Sequence, residues 1–203
     1  NAIRIGEQFL SDANLFARPG DGPIDPRALD FLEDLRNLSQ DPWYSVRFQL
    51  ALSLGASSER RFGDVLFGLA VRETSPEIKK GIEASLPIHL ERLIRNTLMQ
   101  PDLIIEQPDF YSLLIRYALI QKDAEGVRSL VEPLLNSEAA GDQQVSLNVL
   151  HRYTVELGKQ GLRGNSKFDC WTESLGQWAP RTAAWRGRML EVVRQQAANR
   201  SQE

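Results

Sequence analysis

Apolar residues recur along this chain at intervals of three and four, and the runs of β-branched residues that strands need are absent, so the pattern predicts an all-α fold. Ala2 to Leu10 reads as the middle of a helix. The stretch Pro19-Gly20-Asp21-Gly22-Pro23-Ile24-Asp25-Pro26 is too dense in proline and glycine to be regular, and it ends with Asp25 as an N-cap and Pro26 at the first helical position. Leu29, Leu32, Leu35 and Leu38 then predict a single apolar stripe on a helix that stops near Ser39. Beyond a turn at Gln40-Asp41-Pro42, the segment from Val46 to Leu54 carries Val46, Phe48, Leu50, Ala51, Leu52 and Leu54. It is apolar on most of its circumference, which predicts a buried inner helix, with Gly55 as its stop.

Phe62, Val65, Leu66, Leu69 and Ala70 give a third helix, and Thr74-Ser75-Pro76 ends it and caps a fourth marked by Ile78, Ile82 and Leu86. Pro87 is expected to open a fifth, with Leu90, Leu93, Ile94, Thr97 and Leu98 facing one way until Pro101. Gln107-Pro108-Asp109 starts another, whose buried stripe is predicted as Phe110, Leu113, Leu114, Tyr117 and Ala118. Asp123 caps the next, in which Val127, Leu130, Val131, Leu134 and Leu135 are apolar and Pro133 should bend or shorten the helix. A long helix from Asp142 to Leu157 ends at Gly158. A last one runs from Pro180 to about Asn199.

Self-similarity organises these helices. A shift of 32 residues carries Val46, Leu50, Ser53 and Leu54 onto Ile78, Ile82, Ser85 and Leu86, and carries Asp41 and Arg47 onto Glu73 and Lys79. Size, polarity and charge sign all match. Short helix pairs that bury one face against the next pair are the signature of a solenoid. The clearest units are about 25–55 and 59–87, and the whole of 1–203 reads as one helical-repeat domain.

The stretch Asp41-Pro42-Trp43-Tyr44-Ser45-Val46-Arg47-Phe48-Gln49-Leu50-Ala51-Leu52-Ser53-Leu54-Gly55 resembles the second half of a HEAT repeat, of the type grouped with phycocyanobilin-lyase-like HEAT units. The resemblance implies an α-α superhelix in which an aspartate in the turn and an arginine early in the second helix pair with neighbouring repeats as a ladder. Asp41 and Arg47 occupy those positions; Glu73 and Lys79 depart in residue type but keep the charges. More narrowly, residues 2–87 look like the HEAT segment of planctomycete-type membrane-bound dehydrogenase and cytochrome c proteins, which implies a connector between catalytic and electron-transfer parts and an extracytoplasmic setting. The chain also begins without methionine, so it is expected to be a piece of a longer protein.

Charge adds little to this picture. Twenty-four basic against 27 acidic residues leave a net −3, too balanced for a chain whose main work is neutralising phosphate. The arginines of the last helix (Arg181, Arg186, Arg188, Arg194 and Arg200, against Glu191) keep a nucleic-acid-binding alternative in view, and a helical enzyme domain is the other. Chemistry-bearing residues are sparse. The single cysteine, Cys170, lies far in sequence from His89 and His151, no Cys-x-x-Cys-His is present to attach haem, and no glycine-rich strand-to-helix turn is present to cradle phosphate. The one loop with clustered acids, Asp21 to Asp25, lacks the twelve-residue spacing of a calcium loop.

No catalytic residue, metal or cofactor is therefore expected. The expected role is a scaffold that meets a protein partner or neighbouring domains of its own chain, with no nucleic acid and no membrane span in this piece. Candidate partner contacts are Gln49, Lys80 and Glu83 on second helices, together with Trp171, Trp178 and Trp185, which recur every seven residues.

Overall fold

The computed structural model describes residues 26–136 and 140–162, and within them the chain is all-helical: eight helices, with no strand among the described residues. It divides into two compact units, one ending at Pro101 and the other beginning at Asp102.

The described part of the first unit holds α1 (Pro26–Leu38), α2 (Tyr44–Leu54), α3 (Arg60–Arg72) and α4 (Pro76–Leu98). In α1 the centre of the leucine stripe is buried at Leu32 and Leu35, whereas Leu29 is 50% exposed. The reason is angular: a step of three residues turns only about 300°, so each leucine lags the last by about 60° and the two ends of a four-leucine row point to opposite sides. In α2, Leu50, Ala51 and Leu54 are buried, but Val46 and Phe48 are half-buried and Leu52 is 39% exposed. The inner helix is thus covered on one side only. The third helix buries all five residues of its predicted stripe.

One boundary differs from the pattern. Pro87 opens no new helix; α4 runs unbroken for 23 residues, with the proline inside it. Its buried residues Ile78, Ile82, Ser85, Leu86, His89, Leu93 and Thr97 keep helical spacing straight through the proline, which lies on the exposed side. A proline deletes one backbone hydrogen bond, but here packing on both sides of it favours a single rod.

Contacts give the direction of the helices. Phe48 and Ala51 lie against Gly81, where an added methyl carbon would come within 3.2 and 3.3 Å of them. Ser85 then meets Ala51, and His89 meets Leu54. Positions rise together on both helices, so α2 and α4 are parallel neighbours. On the other side, the rings of Phe31 in α1 and Phe62 in α3 meet edge to face with centroids 6.3 Å apart. The four helices therefore form two hairpins set side by side.

The second unit holds α5 (Leu103–Glu106), α6 (Pro108–Ile120), α7 (Ala124–Asn136) and α8 (Ala140–Lys159). Pro108 stands at the start of α6, as the sequence predicts. Its buried face is Phe110, Tyr111, Leu114, Ile115, Ala118 and Leu119, while Leu113 and Tyr117 are only half-buried. Because α6 is apolar around most of its girth, two stripes were open to it, and α7 selects the one carrying Tyr111, whose hydroxyl donates to the Leu130 carbonyl at 2.7 Å. In α7 Val127, Leu130, Val131 and Leu134 are buried, Asp123 accepts from the Gly126 amide, and the helix continues past Pro133 to Asn136.

Both α6 and α8 end in the same device. The Asp123 amide donates to the Ala118 carbonyl and the Leu162 amide to the Leu157 carbonyl, each six-residue closure passing through a left-handed residue. After α8 that residue is Gly161, at φ 66°; after α6 it is Lys122, at φ 57°. The long helix passes Gly158, its predicted stop, by one residue.

Candidate functional site

The residues with the most developed polar geometry lie between the two hairpins of the first unit. At the turn before α2, the Asp41 carboxylate accepts from the Trp43 amide at 2.8 Å and so caps its own turn. The Arg47 guanidinium spreads over three acceptors: Nε donates to Glu73 Oε2 at 2.8 Å, and Nη1 donates to the backbone carbonyls of Asp41 at 2.6 Å and Pro42 at 3.2 Å. Glu73, buried, also takes the amides of Thr74 and Ser75 at 2.9 Å each, and so closes the turn into α4. Burial alone would push this carboxyl up, but the Arg47 hydrogen bond and charge and the two amides outweigh it and hold it below the usual range. Of the four residues read as ladder positions, the structure brings Arg47 and Glu73 together. Asp41 serves its own turn, and Lys79 lies exposed one helical turn into α4.

A second tie joins α3 to α4. Asp64 accepts two parallel bonds from Arg92, Nε to Oδ1 at 2.6 Å and Nη2 to Oδ2 at 2.8 Å, and a third from Asn96 at 2.7 Å. Desolvation raises the Asp64 carboxyl, but the bonds from Arg92 and Asn96 and the charges of Arg92 and Arg36 leave it below its ordinary value. Gly63 makes room for this. An added methyl carbon there would lie 2.9 Å from the Arg92 side chain, which runs along the glycine to reach the acid one residue on. The apolar pattern does not single out this cluster, although a signal exists: Asp64 is the sole acid in α3, facing a pair four residues apart, Arg92 and Asn96, that share one side of α4.

The third tie concerns the end of α2. The last four carbonyls of a helix have no partner within it, and here all four are filled. The Gly55 and Ala56 amides turn back to Leu52 and Ser53, while Ser85 Oγ donates to the Ala51 carbonyl at 2.6 Å and His89 Nε2 bonds the Leu54 carbonyl at 2.8 Å. A carbonyl can only accept, so the imidazole carries its proton on Nε2. His89 is thus a buried capping group from the neighbouring helix. Gly55 is fixed by the same approach. Its backbone is ordinary right-handed helix at φ −74°, and what excludes a side chain is Ser85 Oγ, 2.2 Å from where a methyl carbon would stand. It stands at the helix end as predicted, and glycine is needed there for lack of space rather than for a left-handed turn.

Among the candidate partner contacts, Gln49 and Lys80 are exposed on α2 and α4, and Glu83 is half-buried. Trp171, Trp178, Trp185, Cys170 and the arginines from Arg181 to Arg200 lie outside the described residues, as do the Asp21 to Asp25 loop and the helix predicted at Ala2 to Leu10. Among the described residues of the first unit, two large apolar side chains that the pattern did not single out stand well exposed side by side where the tethered turn enters α2: Trp43, 72% exposed, and Tyr44, 61% exposed. Among the described residues no three His, Cys, Asp or Glu side chains group to hold a metal ion, and no helix is long and apolar enough to cross a membrane.

No model of a known protein family, no curated protein and no solved structure matches this chain.

Proposed function

We propose that the chain is a HEAT-type α-α superhelix acting as a non-catalytic scaffold, and that it connects catalytic and electron-transfer domains of a larger dehydrogenase-like protein outside the cytoplasm. One observation carries the reading: α2 and α4 are parallel neighbours, and the arginine of one turn reaches the acid of the next, Arg47 to Glu73 at 2.8 Å. That contact is what stacked repeats require, since each hairpin buries one face only against its successor. The polar side chains of the first unit support a structural role as well. Asp64, Glu73, Arg47, Arg92, Ser85 and His89 all spend their hydrogen bonds on other parts of the fold. Partner contacts would fall on the exposed sides of the parallel helices, at Gln49 and Lys80, and on the aromatic pair at the start of α2.

Two measurements test this. Small-angle scattering of the purified chain should give a radius of gyration above the roughly 17 Å of a compact globule of this length; a compact value would sink the superhelix. Co-purification of the chain with the domains that flank it in its parent protein, and loss of that association in Gln49→Arg/Lys80→Glu or Trp43→Ala/Tyr44→Ala, tests the scaffold. Salt-sensitive binding to duplex DNA, or turnover by the chain alone, would replace it with another reading.

A further inference from the structure

We draw no further inference here: the strongest candidate, the exposed Trp43 and Tyr44 side chains carried on the tethered turn at the start of α2, carries none because nothing in the structure shows what covers them.

Discussion

The contacts described in the two units differ in kind. In the first, directed bonds run between helices: Arg47 to Glu73, Arg92 and Asn96 to Asp64, Ser85 to Ala51 and His89 to Leu54, spanning 26 to 35 residues of sequence. In the described part of the second, Tyr111 bonds the Leu130 carbonyl, Arg152 reaches Asp109 at the exposed surface, and the rings of Phe110, Tyr111 and Tyr153 are buried together with the aliphatic Leu114, Ile115, Val127, Leu130, Val131, Val149 and Leu150. Apolar packing is non-directional and tolerates small slips, whereas a bidentate arginine or a buried carbonyl with its donor fixes the register of two helices. In the first unit these bonds fix the register of α2 and α3 against α4.

The largest expected effect should not distinguish them. Leu50→Ala in α2 and Leu130→Ala in α7 each remove a buried side chain and should cost about 2–5 kcal/mol in denaturant unfolding. A loss below about 1 kcal/mol at Leu50 would mean that α2 packs less tightly than its burial indicates. The glycines separate the units better. Gly55→Ala drives a methyl group into Ser85, including its backbone at 2.9 Å, and should cost about 1–3 kcal/mol. Gly161→Ala meets nothing within 4 Å and should cost only the strain of its left-handed backbone, about 1 kcal/mol. Equal losses would mean that space is not what excludes a side chain at Gly55.

Acid should sharpen the contrast in one direction. Asp64 and Glu73, both in the first unit, sit below their ordinary values of 3.8 and 4.5, so near pH 4 these two groups bind fewer protons in the folded chain than in the unfolded one. Their stabilisation is complete above those ordinary values and is lost as pH falls through the lower folded ones. The urea midpoint should therefore drop between pH 5 and about 2.5, and drop less in Asp64→Asn/Glu73→Gln, whose amides do not titrate in this range. A variant that follows the parent profile would remove these two acids from the account. The smallest effect is a gain: Lys122→Gly relieves a left-handed lysine at the end of α6 and should raise stability by up to about 1 kcal/mol, read as a higher melting temperature.

What the sequence made legible follows the same division between shape and direction. Helix existence and most starts were readable, since Pro26, Pro76 and Pro108 mark them and the three-four spacing of Phe62, Val65, Leu66, Leu69 and Ala70 names a buried face without ambiguity. Faces were less readable where a helix is apolar all round, as in α6, because only the neighbour decides whether Tyr111 or Tyr117 turns inward. Pro87 misled for a related reason: its local preference is to stop a helix, and the stripe that overrides it is formed by contacts with other elements. The 32-residue shift pointed to the charges at Arg47 and Glu73, yet it could not say that Asp41 would turn to its own backbone. Asp64, Arg92 and Asn96 went unread because their signal, a lone acid in α3 and a polar pair four residues apart in α4, does not say which helix faces which.

The capping of α2 by Ser85 and His89 has a consequence in time. The helix ends at Leu54, but the group that satisfies its last carbonyl lies 35 residues later. At a synthesis rate of roughly 5–20 residues per second, that donor is made about 2–7 seconds after the carbonyl it serves. Through that interval the first hairpin exists with an unfinished end, and it becomes a finished structure only when the next hairpin arrives and lends it two hydrogen bonds. A chain arrested after Arg72 should leave the end of α2 open to hydrogen exchange, and one arrested after Leu98 should close it. The first hairpin of this unit is thus a link completed by the one that follows it.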